Sequence, residues 1–325
     1  MKAVVCTKYG PPDVLRIMDI PKPEPKSNEI LIRVLATSVT VADTRVRGFN
    51  IPPSYRIPAR LALGLTRPRR NILGAEFAGE VVKTGAKVKN FNIGDKVFGT
   101  SAHKFGAYAE FMCIPANSRS YTITTIPEKI DSTESAAIPL GGLTALYFLQ
   151  AAKLTKDEDV LIYGASGSVG TYAVQLAKYF GVRTTAVCST RNIELVESLG
   201  ADRVIDYTSE NFAREIENYD IVFEAVGKTN LEDCIKVLKS GGRFLHAVAV
   251  PAITRKAHRL CKQKRIKFIG GGPKEAPRDL NFLKELVDGE KLKPVIDRTY
   301  PLDKIADAHR YVDTGRKKGN VVITL

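Results

Sequence analysis

The stretch DVLIYGASGSVGTYAVQLAKYFG, Asp159 to Gly181, holds the residues of this 325-residue chain whose spacing points most directly to chemistry. Val160–Tyr163 reads as a short buried strand. After the glycines, Val169, Tyr172, Ala173, Leu176, Ala177 and Phe180 recur on one face at helical spacing. Gly164, Gly167 and Gly170 therefore join a strand to a helix start. Backbone N–H groups there lack intrahelical partners, and the helix dipole favours an anion. Glycines let the backbone approach a pyrophosphate and let the helix pack on the strand. The order departs from Gly-x-Gly-x-x-Gly: Ala165 takes the first position, and Gly164 precedes it. A plain tight turn would also use glycines, but strand, turn, helix and next strand together favour a dinucleotide.

Which dinucleotide depends on the next strand end. An NAD site usually places Asp or Glu about 20 residues beyond the glycines. Here the region reads TTAVCSTRN, with Cys188, Ser189 and Thr190 at the strand end and Arg191 after it. An acidic group would repel a 2′-phosphate, whereas a hydroxyl and a guanidinium hold one through charge-assisted bonds. NADPH is the expected cofactor. The alternative is that Arg191 is a solvated residue at a helix start.

The elements around this turn fall into two sets. Residues 1–125 are strand-rich, with short runs such as Glu29–Val39, Phe77–Gly85 and Asp95–Ser101 separated by YGPPD and NIGD turns. Asn50–Asn71 interrupts them with Pro52, Pro53, Pro58 and the basic tip RPRR; it reads as a lid or binding loop, or as a structural excursion. From about Ile126 strands alternate with helices, which implies a parallel sheet covered on both faces. The last strand, Val321–Leu325, could return to the first module. The expected division is therefore 1–125 completed by 295–325, and 126–294 as the nucleotide domain.

The formal net charge is +14, which attracts anions such as phosphorylated cofactors, nucleic acid or acidic membranes, or is simply a solvated surface. Thr254–Phe268 is the densest basic stretch and has no acidic residue. Five scattered cysteines without a Cys-x-x-Cys pair suit a reducing compartment. The N-terminal residues lack an apolar core of signal-peptide length, and no run is long enough to span a membrane. A cytoplasmic protein with no membrane partner is expected.

Across its whole length the chain resembles the medium-chain dehydrogenase/reductase superfamily, in particular its zinc-free quinone oxidoreductase (zeta-crystallin-like) branch. The resemblance rests on MKAVVCTKYGPPDVLRIMDIPKPEP, VADTRVRG, ILGAEFAGEVVKTGAKVKNFNIGDKVFG, AAIPLGGLTALYFL, GASGSVG and GADRVIDY. It implies an α/β fold: a β-rich GroES-like catalytic domain and a Rossmann domain with a doubly wound parallel sheet. Zinc-dependent relatives hold the metal through a Cys, the His of a Gly-His-Glu motif and a later Cys or His. Here Ala75 replaces that His, and Ser38–Asp43 has no Cys. The four-cysteine structural lobe is also missing. His103, His246, His258 and His309 are scattered, so no metal is expected. Hydride transfer to a quinone or an activated, enone-type double bond is then implied.

The resemblance places Gly164, Ala165, Ser166, Gly167, Ser168, Val169 and Gly170 at the pyrophosphate. It places Lys178, Ser189, Thr190, Arg191 and Tyr207 near the adenosine phosphate, and Thr144, Val226 and Gly227 at the nicotinamide end. Ala247, Val248 and the rest of the stretch to Val250, with Ile269, Gly270 and Gly271, follow strand ends, where open α/β sheets bind ligands. Asn320 is a further cofactor candidate. In the substrate cleft the family's Asn-x-x-Asp becomes Thr40 and Asp43. The proton-donating Tyr of enoyl-thioester reductases is replaced by Asn50, with Tyr55 further on. Thr40, Asp43 and Tyr55 are the catalytic candidates, Asp43 with the alternative of a structural acceptor. A homodimer joined through the nucleotide-domain sheets is implied. Two other readings remain open at this point: a nicotinamide-dependent alcohol dehydrogenase, and an NADPH-responsive RNA-binding protein. The latter lacks an aromatic stacking platform, which makes nucleic acid an unexpected partner.

Overall fold

The computed structural model describes all residues except 52–54, 102–103, 118–120, 216–217, 249–250 and 273–275. Pro52, Pro53, His103 and Val250, singled out above, lie outside the described residues. The chain divides into two compact units. One comprises Met1–Leu140, Ala276–Asp288 and Ile296–Leu325; the other comprises Gly141–Glu275 and Gly289–Val295.

In the first unit, strands β1 (Lys2–Cys6) and β2 (Leu15–Asp19) form an antiparallel hairpin. After β3 (Glu29–Ser38) come helices α1 (Val41–Gly48) and α2 (Arg56–Leu63), then strands β4 (Glu76–Thr84), β5 (Lys96–Thr100), β6 (Phe111–Pro115) and β7 (Thr122–Thr125), and the short helix α3 (Ser132–Ser135). The chain leaves the unit along α4 (Pro139–Ala152). It returns with α9 (Pro277–Asp288), β14 (Ile296–Pro301), α10 (Ile305–Asp313) and β15 (Asn320–Thr324). The sheet order is β14-β15-β3-β4-β5-β7, with β6 paired to β3. The last strand joins β3 antiparallel, Val322 opposite Ser38. The expected boundary at residue 125 needs adjustment. The unit extends to Leu140 and also takes α9, which the sequence order had assigned to the nucleotide domain. Apolar residues Leu280, Leu283, Leu286 and Val287 of α9 are buried, and Asp288 accepts a bond from Glu128 N at 2.8 Å. A covalently remote helix is held here by its apolar face, which sequence order does not reveal.

The second unit is a six-stranded parallel sheet. Its strands are β8 (Asp159–Tyr163), β9 (Arg183–Cys188), β10 (Arg203–Asp206), β11 (Tyr219–Glu224), β12 (Leu238–His246) and β13 (Lys267–Gly270), in the order β10-β9-β8-β11-β12-β13. Helices α5 (Ser168–Phe180), α6 (Ile193–Ser198), α7 (Leu231–Lys236) and α8 (Pro251–Gln263) connect them. The strand order reverses at β8, the place where doubly wound sheets open a crevice at their carboxyl ends. Leu161, Val222 and Phe244 of the central strands share one core cluster. Burial on both faces is what a parallel sheet demands, and it explains the continuous apolar runs of the sequence.

Candidate active site

The three glycines of the turn meet three different constraints. Gly164 has φ +80°, and a Cβ there would lie 2.1 Å from Val226 Cγ2. A Cβ on Gly170 would lie 2.1 Å from the Gly164 carbonyl oxygen, so α5 packs directly on the turn. A Cβ on Gly167 would meet only that same oxygen, at 3.4 Å. A Cβ at Gly167 therefore has room within the protein. Gly167 is also the N-cap of α5, and no side chain caps this helix. The turn is pinned to the sheet by Gly164 N and Ala165 N, which both donate to Val187 O (3.0 and 3.1 Å). An uncapped helix start beside glycine-lined space is a cradle that fits a pyrophosphate.

At the end of β9, Ser189 is half-buried and Thr190 and Arg191 are exposed. Asn192 was not singled out in the sequence, yet it is buried and ties the two loops together. Its Nδ2 donates to Ser166 Oγ at 2.8 Å and to Ser189 Oγ at 3.3 Å, and its Oδ1 has no partner. Its place in the same turn as Arg191 was the available signal. Tertiary structure also adds a carboxylate that the strand-end rule did not count. Asp206 of β10 sits in register with Cys188, and its oxygens accept from Thr190 Oγ1 (2.5 Å), Thr208 Oγ1 (2.7 Å) and Thr208 N (2.9 Å). Tyr207 beside it is exposed, 6.1 Å from the Tyr163 ring. Lys178 stands in the last turn of α5, ten residues beyond Ser168, with its stem against Gly200.

The loops after β11 and β12 meet, for a Cβ on Gly227 would lie 2.7 Å from Val248 Cβ. Glu224 holds the first of them, accepting from Val226 N (3.2 Å) and Gly227 N (2.5 Å). Its neighbour across the strands is His246, whose Nε2 lies 3.5 Å from Glu224 Oε2 and whose buried Nδ1 has no partner. Burial raises the Glu224 pKa, opposed by the loop N–H groups, and burial lowers that of His246. Glu224 was missed in the sequence, and His246 was read there only as one of four scattered histidines, because a buried polar residue at a strand end has no periodic signature. Ala247 follows on the same loop. Ile269 and Gly270 end β13 alongside β12, with Gly271 next. Thr144 is buried on α4 in this unit. Asn320 opens β15, in the first unit, and is buried there.

In the first unit Thr40 and Asp43 form a capping box at the start of α1. Asp43 Oδ2 accepts from Thr40 N (2.9 Å) and Thr40 Oγ1 (2.5 Å), and Oδ1 accepts from Gly74 N (2.9 Å). Asp43 is fully buried, and burial raises its pKa against these bonds. Tyr108 lies beside it, and the Tyr108 hydroxyl is 3.2 Å from His309 Nε2. Burial pushes the His309 pKa down to about 3, so the ring stays neutral. Tyr55 is half-buried at the start of α2 and caps nothing with its side chain.

Glu76 stands next to Ala75, where zinc-dependent relatives carry their Gly-His-Glu glutamate. Ser38 Oγ donates to its Oε2, and Leu140 N donates to its Oε1 at 2.5 Å. Burial pushes its pKa up to about 7, and Lys317, lowered to about 8 by its own loss of solvation, pulls it back slightly. Zinc needs at least three protein ligands. Here the carboxylates of Glu76 and Asp43 are engaged by donors, and no group of three His, Cys, Asp or Glu occurs among the described residues. The donor set does not fit a catalytic zinc. It does fit a pH effect on stability. A carboxyl whose pKa is raised on folding stabilises the fold fully below its unfolded value and loses that contribution as pH rises through the folded one. Melting of the wild type is therefore expected to fall from pH about 4.5 to about 7 in part through Glu76. Glu76→Gln, whose oxygen can still accept from Leu140 N while its amide NH2 donates to Ser38 Oγ, is expected to flatten that part of the profile. An unchanged profile would deny the raised pKa.

A doubly wound sheet with a glycine turn at its switch point, joined to a GroES-like unit, defines a nicotinamide-dependent oxidoreductase. Comparison with known proteins agrees. Residues 26–128 match the family described as alcohol dehydrogenase GroES-like domain, and residues 199–323 match the one described as zinc-binding dehydrogenase. The NADPH-dependent alkenal/one oxidoreductase of Arabidopsis thaliana chloroplasts is 31% identical, over 99% of this chain and 79% of its own. The chloroplast envelope quinone oxidoreductase homolog of the same plant is 35% identical, over 95% and 93%. The solved quinone oxidoreductase of Coxiella burnetii is 32% identical with a TM-score of 0.89, covering 100% of this chain and 99% of that one. The chain belongs to the medium-chain dehydrogenase/reductase superfamily, among its quinone and alkenal oxidoreductases.

Proposed function

We propose that the protein is an NADPH-dependent reductase that passes hydride to a quinone or to the double bond of an alkenal or enone, with no metal. The observation that carries this is the state of the oxygens beside Ala75: Glu76 and Asp43 are each engaged by donors within the protein. Bound NADPH supplies the hydride, and an electron-poor acceptor needs only binding, orientation and modest stabilisation of the developing oxyanion.

The backbone of Gly164–Gly170 takes the pyrophosphate at the uncapped start of α5. Ser189, Thr190 and Arg191 take the 2′-phosphate with Tyr207, on a loop braced by Asn192. Thr144, the Val226–Gly227 loop held by Glu224, Ala247, Val248, Ile269, Gly270 and Gly271 take the nicotinamide end. Asn320 is assigned to the cofactor on the family resemblance alone. On the substrate side Asp43 is a positioning residue that fixes the Thr40 hydroxyl, and Tyr55 is the candidate proton donor. Among the described residues β13 is the last strand on its side of the sheet, and an edge strand of this kind supports a homodimer joined through the sheets. Five unpaired cysteines support a reducing compartment, the cytoplasm on our reading.

NADPH oxidation against quinones, enones, enoyl thioesters and aldehydes tests this. Turnover is expected with quinones and enones, unchanged by a chelator, in protein without stoichiometric zinc. One tightly bound zinc per chain that is required for turnover would overturn the metal-free reading. Turnover of alcohols or aldehydes alone would replace it with an alcohol dehydrogenase.

A further inference from the structure

Helix α2 is mounted the opposite way from most amphipathic helices. Its Arg60 faces the protein: the guanidinium lies 4.0 Å over the Phe49 ring and 4.6 Å over the Tyr9 ring, and it donates to the Leu65 carbonyl. Tyr9 is tied to the same segment, with its hydroxyl donating to Gly64 O at 2.9 Å and its N to Thr66 O at 3.4 Å. No residue of α2 is buried. Ile57 and Leu61 share the other face, and Leu65 follows just past the C-cap Gly64. They are 78%, 61% and 68% exposed. An apolar row of this kind normally turns inward, and its exposure marks an interaction surface.

The charges of this segment are of one sign. Arg56, Arg67, Arg69 and Arg70 are all exposed, and no acidic residue occurs between Asp43 and Glu76. We propose that this segment docks the protein on the surface of an anionic lipid bilayer. Ile57, Leu61 and Leu65 would enter the boundary between headgroups and acyl chains, while the arginines engage headgroup phosphates. A second copy of the same chain matches the row poorly, because it would bring arginines against arginines in a chain of net charge +14. Docking of this kind needs no spanning segment, and no helix among the described residues is long and apolar enough to cross a membrane. It does not depend on which acceptor the enzyme reduces.

The full chain is sedimented with vesicles of phosphatidylcholine alone and of phosphatidylcholine mixed with phosphatidylglycerol, at low and high salt. Wild type is expected to bind the mixed vesicles only, less tightly at high salt. Ile57→Gln with Leu61→Gln is expected to weaken that binding by at least about tenfold, with melting and NADPH affinity unchanged. Arg67→Ala with Arg69→Ala is expected to weaken it as well. Absence of vesicle binding by wild type overturns the proposal. So does equal binding by the glutamine variant, which would mark generic adsorption through charge, for example at Thr254–Phe268. Self-association of wild type lost in the glutamine variant would assign the row to a second copy. A raised KM for a water-soluble quinone, with vesicle binding kept, would assign it to the acceptor. Either result overturns membrane docking.

Discussion

Gly167→Val is expected to lose NADPH affinity by at least about 100-fold while the protein still folds. The affinity figure follows from two backbone bonds to the pyrophosphate at roughly 1.5–3 kcal/mol each. The intact fold follows from geometry: a Cβ at this position meets only the Gly164 carbonyl oxygen, at 3.4 Å. Gly170→Ala is the control with the opposite signature. Its Cβ would lie 2.1 Å from the same oxygen and 2.7 Å from Ala165 Cα, so the backbone must move. Overpacking of this kind costs about 1–3 kcal/mol of stability, occasionally more. Calorimetric titration with NADPH, paired with thermal melting, separates the two. Retained NADPH affinity in folded Gly167→Val protein would move the cofactor away from this turn.

Arg191→Ala is expected to weaken NADPH by about 10- to 100-fold and to leave NADH nearly unaffected. The exposed guanidinium stands one residue beyond Thr190, whose own hydroxyl is engaged with Asp206. The Asp206 carboxylate makes the arginine more important. Uncompensated negative charge beside the 2′-phosphate would favour NADH, and Thr190 and Thr208 supply hydrogen bonds that hold Asp206 ionised without cancelling its charge. Selectivity is the decisive readout, because misfolding would weaken both cofactors together. Dissociation constants for both cofactors, in wild type and variant, give the answer. Equal losses, or a wild type that already prefers NADH, would reject the phosphate assignment.

Local pattern determined a good deal of this protein. The glycine turn, the strand before it and the apolar face of α5 are consecutive in sequence, so spacing alone placed them. The strand–helix alternation after Ile126 likewise implied a parallel sheet, because each strand needs a crossover before its neighbour. Ala75 in place of a histidine was readable for the same reason: a ligand motif is a statement about residue type at one position.

What sequence could not decide were relations between residues far apart in the chain or at different heights along one element. The resemblance sets Lys178 near the adenosine phosphate, and only the fold shows its stem against Gly200, at the end of the next helix. Asp206, sixteen residues beyond Thr190, arrives beside it because β10 and β9 pair in register. Glu224 and His246 meet at the ends of neighbouring strands, and Glu76 meets Ser38 across the sheet. The sequence contains Asp43 but not its burial, nor the Thr40 and Gly74 donors on its oxygens, on which its proposed positioning role rests. The apolar row of α2 was present in the letters as ordinary amphipathicity. Only the stacking of Arg60 on Tyr9 and Phe49, three segments brought together by the folded chain, turned that row toward solvent. Periodicity fixes which side of an element is apolar, and only the contacts of the other side fix where it points.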